Sequence, residues 1–126
     1  MKAKTIKKTD IASLLDRLVK DYEVFAPVEM DGLISFEKIS SSGEVLIDYP
    51  NSKMSPKQLL FPQSETLFSY DSTKDTDKLD VPSGPEKPRL IFGIRPCDAM
   101  SFTLLDKVFG GDFKDPYYLN RRAHTV

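Results

Sequence analysis

The chain has 126 residues, enough for one domain with its own hydrophobic core, and its 40% hydrophobic and 29% charged residues are typical of a globular protein. A formal net charge of −1 gives no electrostatic argument for a nucleic acid or an anionic membrane as a partner. No apolar run approaches the roughly 20 residues of a membrane span, and the basic N-terminus lacks the apolar segment of a signal peptide. We therefore expect a cytoplasmic protein with no membrane span and no nucleic-acid partner.

The first half of the chain predicts one helix followed by strands. Residues 9–23 carry apolar side chains at helical spacing, with Thr9 or Asp10 as the N-cap. Residues 24–28 are a short strand candidate. Residues 33–39 and 44–49 are predicted to pair as an antiparallel hairpin over 33–49, because turn-forming residues separate them.

The middle of the chain is predicted to be irregular. Ser55 and Pro56 favour a short helical turn, which Pro62 stops. Apolar side chains follow that we expect to be packed: Leu67, Phe68 and Tyr70. Residues 71–88 contain three prolines and little to bury, and they predict an exposed loop.

A strand, a sharp turn and a helix are predicted in the stretch from Arg89 to Phe109, around which the chain is organised. The apolar run 90–94 lies between Pro88 and Pro96 and is too short for a helix, so it predicts a buried strand. The helix is predicted at 98–109, with Asp98 as N-cap and Gly110-Gly111 at its end. Near the C-terminus, Thr125-Val126 resemble the opening of another strand. This suggests a truncated or split reading frame, or a domain cut from a longer protein.

Together these elements predict a single α/β domain over residues 1–126. Its mixed sheet would include the hairpin at 33–49 and the strand at 90–94, with helices near 10–23 and 98–109 covering it.

Cys97 is the strongest candidate for chemistry, as a catalytic nucleophile or a redox thiol. The helix dipole and the nearby Arg95 favour a thiolate, whereas Asp98 opposes it. An alternative is a small buried cysteine that fills space beneath the turn. Another is that backbone N–H groups of the turn, with Arg95, bind a phosphate or carboxylate.

The C-terminal segment carries the other polar candidates. His124 could act as a base or ligand, or be an ordinary surface residue. Arg121 and Arg122 could lie on a solvated face, or bind Asp115 or carboxylates of a partner. The chain has one cysteine and one histidine, so it cannot build a conventional iron–sulfur or zinc site alone. Cys97 could contribute at most a single metal ligand to a shared site.

Several short motifs in the second half of the chain resemble a known family. They are Leu60-Phe61-Pro62, Glu65 with Leu67-Phe68, the run from Phe92 to Ala99 containing Arg95-Pro96-Cys97-Asp98, Leu105 to Phe109, Asp115-Pro116-Tyr117-Tyr118 and Arg121-Arg122. Together they are similar to the beta-type iron–sulfur subunits of soluble hydrogenases and sulfhydrogenases, and the corresponding component of anaerobic sulfite reductase looks like the same family. The resemblance runs from about Ser55 to the C-terminus and is only general before that.

The resemblance implies a part of a redox protein rather than a complete electron carrier. Such proteins carry electrons between flavin-bearing and catalytic subunits, in a cytoplasmic, anaerobic complex. Family members continue with Cys-x-x-Cys runs that hold [4Fe–4S] clusters. None occurs here, so clusters are expected in the full-length subunit or in its partners, and none is bound by this chain alone.

We therefore predict an accessory, non-catalytic domain of an iron–sulfur electron-transfer subunit. By resemblance, cofactor contacts would involve Arg95, Cys97 and Asp98, and partner contacts would involve Tyr117, Tyr118, Arg121 and Arg122. One alternative is a small thiol enzyme or redox protein that uses Cys97. Another is a protein-binding module that uses the 71–88 loop and the basic C-terminus.

Overall fold

A three-stranded mixed sheet lies at the centre of the molecule, seen in a computed structural model that describes residues 5–70, 79–80 (backbone only) and 84–126. The strands are β1 (Glu23–Met30), β2 (Leu33–Lys38), β3 (Ser69–Tyr70), β4 (Leu79–Asp80) and β5 (Arg89–Ile91), and the α-helices are α1 (Ile11–Asp21), α2 (Pro96–Phe109) and α3 (Pro116–Ala123). The order in the main sheet is β2-β1-β5, with β2 antiparallel and β5 parallel to β1. β3 and β4 form a separate antiparallel pair.

Helices cover both faces of this sheet. The first hydrophobic cluster joins α1 to one face and contains Leu15, Val24, Ala26 and Ile39, with Leu90 and Phe92 packed against it. The second joins α2 and α3 to the other face and contains Leu60, Phe102 and Tyr118, with Ile91 packed against it. Successive residues of β5 thus point to opposite cores, as strand geometry requires. The predicted single α/β domain with a mixed sheet and flanking helices is confirmed.

The hairpin lies one strand earlier than predicted. β1 and β2 are joined by Asp31 and Gly32, both with positive φ (52° and 74°), as the two-residue turns that suit a twisted hairpin require. The predicted second strand at 44–49 is wrong, because Ser42–Glu44 form a 3₁₀ helix and residues 45–49 belong to no strand. The Glu44 carboxylate accepts hydrogen bonds from the backbone N–H groups of Ser40 and Ser41, at 3.0 and 2.8 Å. These bonds turn the chain away from β2.

The first helix is confirmed, although its capping differs from the prediction. A 3₁₀ turn at Lys8–Asp10 leads into α1, and the Asp10 side chain makes no capping hydrogen bond. It accepts one from the Thr9 hydroxyl instead. The apolar face is the one that the spacing predicts, because α1 buries Leu15 and packs Ile11, Leu18 and Val19 against the sheet.

In the middle segment, the short helical turn at its start is confirmed, but the packing predicted for the apolar side chains that follow is not. Pro56–Leu59 form a 3₁₀ helix, and the Ser55 hydroxyl at its N-cap accepts from the Lys57 N–H. The expectation that the apolar side chains after it are packed is wrong, because about half the surface of each is exposed: Leu67 50%, Phe68 54% and Tyr70 57%. Of the predicted loop 71–88, residues 71–78 and 81–83 lie outside the described residues. Within the rest, 79–80 pair with β3 and 84–88 are largely exposed.

α2 begins two residues earlier than predicted, at Pro96, so Asp98 is not its N-cap. Arg95 occupies that position, and proline fits the first turn because the N–H that it lacks has no partner there. The helix ends at Phe109, followed by Gly110, as predicted. The predicted opening of a strand near the C-terminus is also found, because Thr125 forms a parallel bridge with Arg89.

α3 is a helix that the sequence analysis did not predict. The Asp115 carboxylate accepts from the N–H groups of Tyr117 and Tyr118, at 2.9 and 3.0 Å, and Pro116 opens the first turn. This is a standard N-terminal capping arrangement. No helix in the described ranges has the length and apolarity needed to cross a bilayer.

Candidate functional site

The turn after β5 carries the predicted site residues and is shaped by one glycine. The Phe92 N–H donates to the Phe25 carbonyl at 2.8 Å, the last bond of the β1–β5 pairing. Gly93 then adopts a φ of 75°, and a Cβ there would lie 3.3 Å from the ring of Pro27. Because an L side chain rarely adopts this φ, glycine lets the chain leave the sheet at this point.

Arg95 is held against Tyr49. Its guanidinium carbon lies 5.1 Å from the centroid of the tyrosine ring, and its Nη2 donates to the Tyr49 carbonyl at 3.0 Å. The Tyr49 hydroxyl in turn donates to the Gly93 carbonyl at 3.0 Å. A cation–π contact with two hydrogen bonds thus fastens the turn to the segment after β2. Arg95 therefore has a structural role, and its predicted cofactor contact stays a prediction.

Asp98 and Cys97 lie in the first turn of α2 but differ in their surroundings. The Asp98 carboxylate accepts from the Ser55 hydroxyl at 2.6 Å, which ties the 3₁₀ helix Pro56–Leu59 to α2. Cys97 is an exposed free thiol. The alternative in which Cys97 is buried beneath the turn is therefore wrong. Its roles as nucleophile, redox thiol or single metal ligand stay predictions.

A buried tyrosine joins α2 to α3. Tyr118 is fully buried, and its hydroxyl donates to the Asp106 carboxylate at 2.7 Å. Arg122 Nε donates to both oxygens of the same carboxylate, at 3.1 and 3.2 Å. Burial, and then the bond to Asp106, raise the pKa of Tyr118 well above its ordinary value, although Arg122 acts in the opposite direction.

The remaining residues of the predicted partner segment are also engaged within the chain. Arg121 pairs with Glu65 at 2.6 Å and donates from Nε to the Leu60 carbonyl at 2.8 Å. The Tyr117 hydroxyl donates to the Leu67 carbonyl at 2.7 Å. These bonds attach residues 60–67 to α3. The proposed pairing of the arginines with Asp115 is not found, because that carboxylate caps α3.

His124 lies at the C-terminal end of α3. Its Nδ1 is 2.8 Å from the Asn120 carbonyl, and the side chain is exposed. In the part of the chain that the structure describes, no hydrogen bond joins it to Cys97. The structure therefore does not assemble the Cys97–His124 nucleophile and base that the sequence left open.

The ligands for an iron–sulfur cluster are not gathered in this chain. No group of three or more His, Cys, Asp or Glu side chains that could hold a metal occurs among residues 5–70, 79–80 and 84–126. A cubane cluster needs several thiolates, and the sequence has one cysteine, so the donor set of this chain does not fit such a cluster by itself.

An apolar cavity of about 220 Å³ lies where β5 meets α2 and the C-terminal segment. Its lining is Ile91, Ile94, Ala99, Phe102, Arg122, Thr125 and Val126. The cavity is smaller than the roughly 300–1,000 Å³ of ordinary small-molecule sites. It therefore gives no argument for a bound ligand.

Sequence reasoning missed the partners that hold the site together. Tyr49, Ser55 and Glu65 each bind one of the predicted residues. Asp106 binds two of them, Tyr118 and Arg122. The resemblance included Glu65 and Asp106, but nothing in their spacing showed what they bind. The Asp-Pro pair at 115–116 was a readable signal for the start of α3.

These features define a small α/β domain. Its strand–turn–helix unit carries the exposed thiol of Cys97, and α3 is bonded to residues 60–67. The chain is similar to sulfhydrogenase 2 subunit beta of Pyrococcus furiosus, with 29% identity over 110 residues. The matched region is 87% of this chain but 31% of that protein, so the chain spans about a third of the length of its relative. No family model matches the chain, and no solved structure does.

This similarity supports the resemblance to hydrogenase beta subunits but not the one to sulfite reductase. The matched region is also longer than the stretch from Ser55 to the C-terminus in which the motifs occur. Because 110 residues exceed the length from Ser55 to the C-terminus, the match includes part of the first 54 residues.

Proposed function

We propose that this chain is an accessory, non-catalytic α/β domain of an iron–sulfur electron-transfer subunit in a cytoplasmic, hydrogenase-type redox complex. The observation that carries the proposal is the similarity to a sulfhydrogenase beta subunit over 87% of the chain. A hydrogenase-type complex is preferred to a sulfite reductase because the relative is a sulfhydrogenase. The electron-carrying [4Fe–4S] clusters would reside in other parts of the subunit or in its partners.

The geometry supports a structural role for most of the predicted site residues. Arg95, Asp98, Arg121 and Arg122 are hydrogen-bonded within the chain, and they fix α2, α3 and the segments between them. Cys97 alone among these site residues has an exposed side chain and no hydrogen bond within the described ranges. It is thus the residue best placed to meet a cofactor or residue of another protein.

The proposal is tested by anaerobic purification of the protein from its native cell, followed by assay of bound iron and acid-labile sulfide. We expect iron to be recovered together with larger redox subunits. A Cys97→Ser variant purified in the same way tests ligation. A loss of about one cluster per complex would show that Cys97 is a ligand, and unchanged iron would leave it without that role. An iron-free chain that purifies alone would contradict the proposal.

The exposure of Cys97 favours one second candidate, a thiol enzyme or redox protein. An activated thiol reacts with iodoacetamide near neutral pH faster than an ordinary cysteine does. The test compares the labelling rate of the native protein with that of the same chain in denaturant at pH 7. A native rate at or below the denatured rate would remove this candidate, because the fold would then give the thiol no added reactivity.

A further inference from the structure

The outer edge of β5 carries the beginning of a further strand. The Arg89 N–H donates to the His124 carbonyl at 2.7 Å, and the Arg89 carbonyl accepts from the Val126 N–H at 2.9 Å. The Ile91 N–H then donates to the Val126 carbonyl at 2.9 Å. These are the bonds of a parallel ladder, and the bridge between Arg89 and Thr125 sets its register. The C-terminal segment therefore runs beside β5 in the same direction.

β5 offers two more backbone groups beyond the last bond of this ladder. They are the Ile91 carbonyl and the Gly93 N–H, and neither makes a hydrogen bond within residues 5–70, 79–80 and 84–126. Both point away from β1, because Phe92 between them donates to the Phe25 carbonyl and successive residues of a paired strand direct their backbone groups to opposite sides. This edge can therefore take two more bonds from a strand that continues past Val126.

An apolar cavity lies on the path that this strand would follow. It has a volume of about 220 Å³, and its lining includes Ile91, Ile94 and Phe102. Because Thr125 pairs with the residue two before Ile91, the residue directly after Val126 would pair with Ile91 and share its face of the sheet. That side chain would face the cavity. An apolar cavity of about 150 Å³ can hold a benzene molecule, so this one has room for an aliphatic side chain.

From these observations we infer that the edge of β5 and the cavity beside it form a strand-addition groove, filled by the segment joined to Val126 in the longer subunit. The inference rests on the proposed function for the existence of that subunit. Covalent continuity selects the occupant, because the Cα of the next residue must lie about 3.8 Å from that of Val126, at the entrance of the groove. A strand from another protein or from a second copy would need the same space. The first residue of the segment is aliphatic, to suit the cavity.

The direction of the added strand has a consequence for the arrangement of the subunit. It runs parallel to β5, and the carboxyl ends of parallel strands lie at the same edge of a sheet. The segment would therefore leave the domain on the side of the turn that carries the exposed Cys97. A cluster-bearing part that follows this segment would begin on the same side as the thiol.

Hydrogen exchange at Gly93 tests the groove directly. The 126-residue chain is compared with two forms extended after Val126 by Leu-Thr-Val-Thr or by Asn-Thr-Val-Thr, whose first side chains have equal numbers of heavy atoms. The leucine form should slow exchange of the Gly93 amide about tenfold, because this N–H gains a backbone acceptor. The asparagine form should slow it about threefold or less, because an amide without a partner in an apolar cavity opposes the pairing.

Substitution of Ala99 tests the cavity from the side of α2. Ala99→Leu fills the same space, so in that background the leucine and asparagine extensions should protect Gly93 to the same small extent. Ala99→Ser is the matched control, because it leaves the space open and should preserve the difference between the two extensions. Amide spectra of each variant would show that the rest of the fold is intact.

The outcomes separate the inference from the proposed function. Equal protection by the two extensions with Ala99 in place, or no protection by either, would overturn the groove and leave the proposed function standing. Protection that appears in the unextended chain as its concentration rises would show a second copy at this edge and overturn the inference. A free Leu-Thr-Val-Thr peptide that protects Gly93 as strongly as the joined one would do the same. If the extensions behave as expected but the native protein purifies without iron, the proposed function alone fails.

Discussion

The largest fully buried side chain among the described residues is that of Tyr118. It is fully buried, and its hydroxyl bonds a carboxylate that is also bound by Arg122. Tyr118→Phe should lower the free energy of unfolding by about 1–3 kcal/mol, since the charged acceptor loses a buried donor. Urea denaturation at pH 7 measures the change. The control is Tyr117→Phe, which removes a less buried bond to the Leu67 carbonyl and should cost about half as much or less.

The contribution of Tyr118 to the free energy of unfolding should depend on pH in the alkaline range, and Tyr118→Phe should show it. Burial raises the pKa of Tyr118, so the folded protein keeps this phenol neutral while the unfolded chain ionises it near pH 10. The stabilisation is fully present below the unfolded pKa and is lost as the pH rises above it. The stability difference between wild type and Tyr118→Phe should therefore shrink between pH 9 and pH 11. A difference that stays constant over this range would contradict the assignment.

The contribution of Glu23 to the free energy of unfolding should be lost as the pH falls, in contrast to that of Tyr118, which is lost as the pH rises. Hydrogen bonding from Lys38 first, and then the charges of Lys38 and Arg89, lower the pKa of its carboxyl despite partial burial. The resulting stabilisation is present above the unfolded pKa, near 4.5, and is lost as the pH falls through the lower folded value. Wild type should exceed Glu23→Gln in stability at pH 7, and the two should converge below about pH 4. Glu29→Gln, in an exposed position of the same strand, is the control.

At the scale of single elements, substitutions at three glycines distinguish the cost of a side chain at positive φ from the cost of a steric contact made by the added Cβ. Gly93 combines a φ of 75° with a close approach to Pro27, whereas Gly32 has a φ of 74° and no atom within 4 Å of an added Cβ. Gly43 has neither constraint. Alanine should therefore cost about 1 kcal/mol at Gly32, more at Gly93 and little at Gly43. Chemical denaturation of the three variants measures the order, and equal costs at Gly32 and Gly93 would show that the Pro27 contact is unimportant.

The outcome for each element shows what local patterns can predict. The periodicity of α1 and α2 was sufficient because each helix packs one apolar face against the sheet. The apolar run of β5 was sufficient because its successive residues pack into the two cores on opposite faces. The hairpin turn is at Asp31-Gly32, a pair that suits the positive φ of a two-residue turn, and not at the serine-rich segment 40–43 where it was predicted. Glu44, interpreted as part of a strand, instead binds the backbone N–H groups of Ser40 and Ser41. Short polar side chains that bond nearby backbone groups compete with strand formation in this way.

At the scale of the whole molecule, the two hydrophobic cores share one narrow sheet. Leu15→Ala in the first core and Leu60→Ala in the second should each cost about 2–5 kcal/mol, because both side chains are almost fully buried. Both variants should still unfold in one cooperative transition when fluorescence and circular dichroism are compared. Leu33→Ala, 48% exposed, should cost much less. Two separate transitions would show that the cores fold as independent units.

The contacts that hold the candidate site could not be predicted because they join distant parts of the chain. Ser55 and Asp98 are 43 positions apart, Tyr49 and Arg95 are 46 apart, and Leu60 and Arg121 are 61 apart. Residue type indicates that such side chains can bond, but only the packed fold selects the partner. The turn and helix that carry Arg95, Cys97 and Asp98 were therefore predicted, whereas the helix that carries the C-terminal site residues was not, and the bonds that occupy these side chains could not be read from the sequence.

The parallel pairing of β1 with β5 has a consequence for the synthesis of this protein. Glu23 and Arg89 are 66 positions apart, so the β1–β2 hairpin leaves the ribosome well before β5 exists. About 50 residues separate β2 from β5, which at roughly 5–20 residues per second takes on the order of 3–10 s. Throughout that interval the growing chain presents an unpaired strand edge at Val24 and Phe25, open to pairing with other nascent chains. Translation rate and chaperone access therefore bear on the yield of this domain.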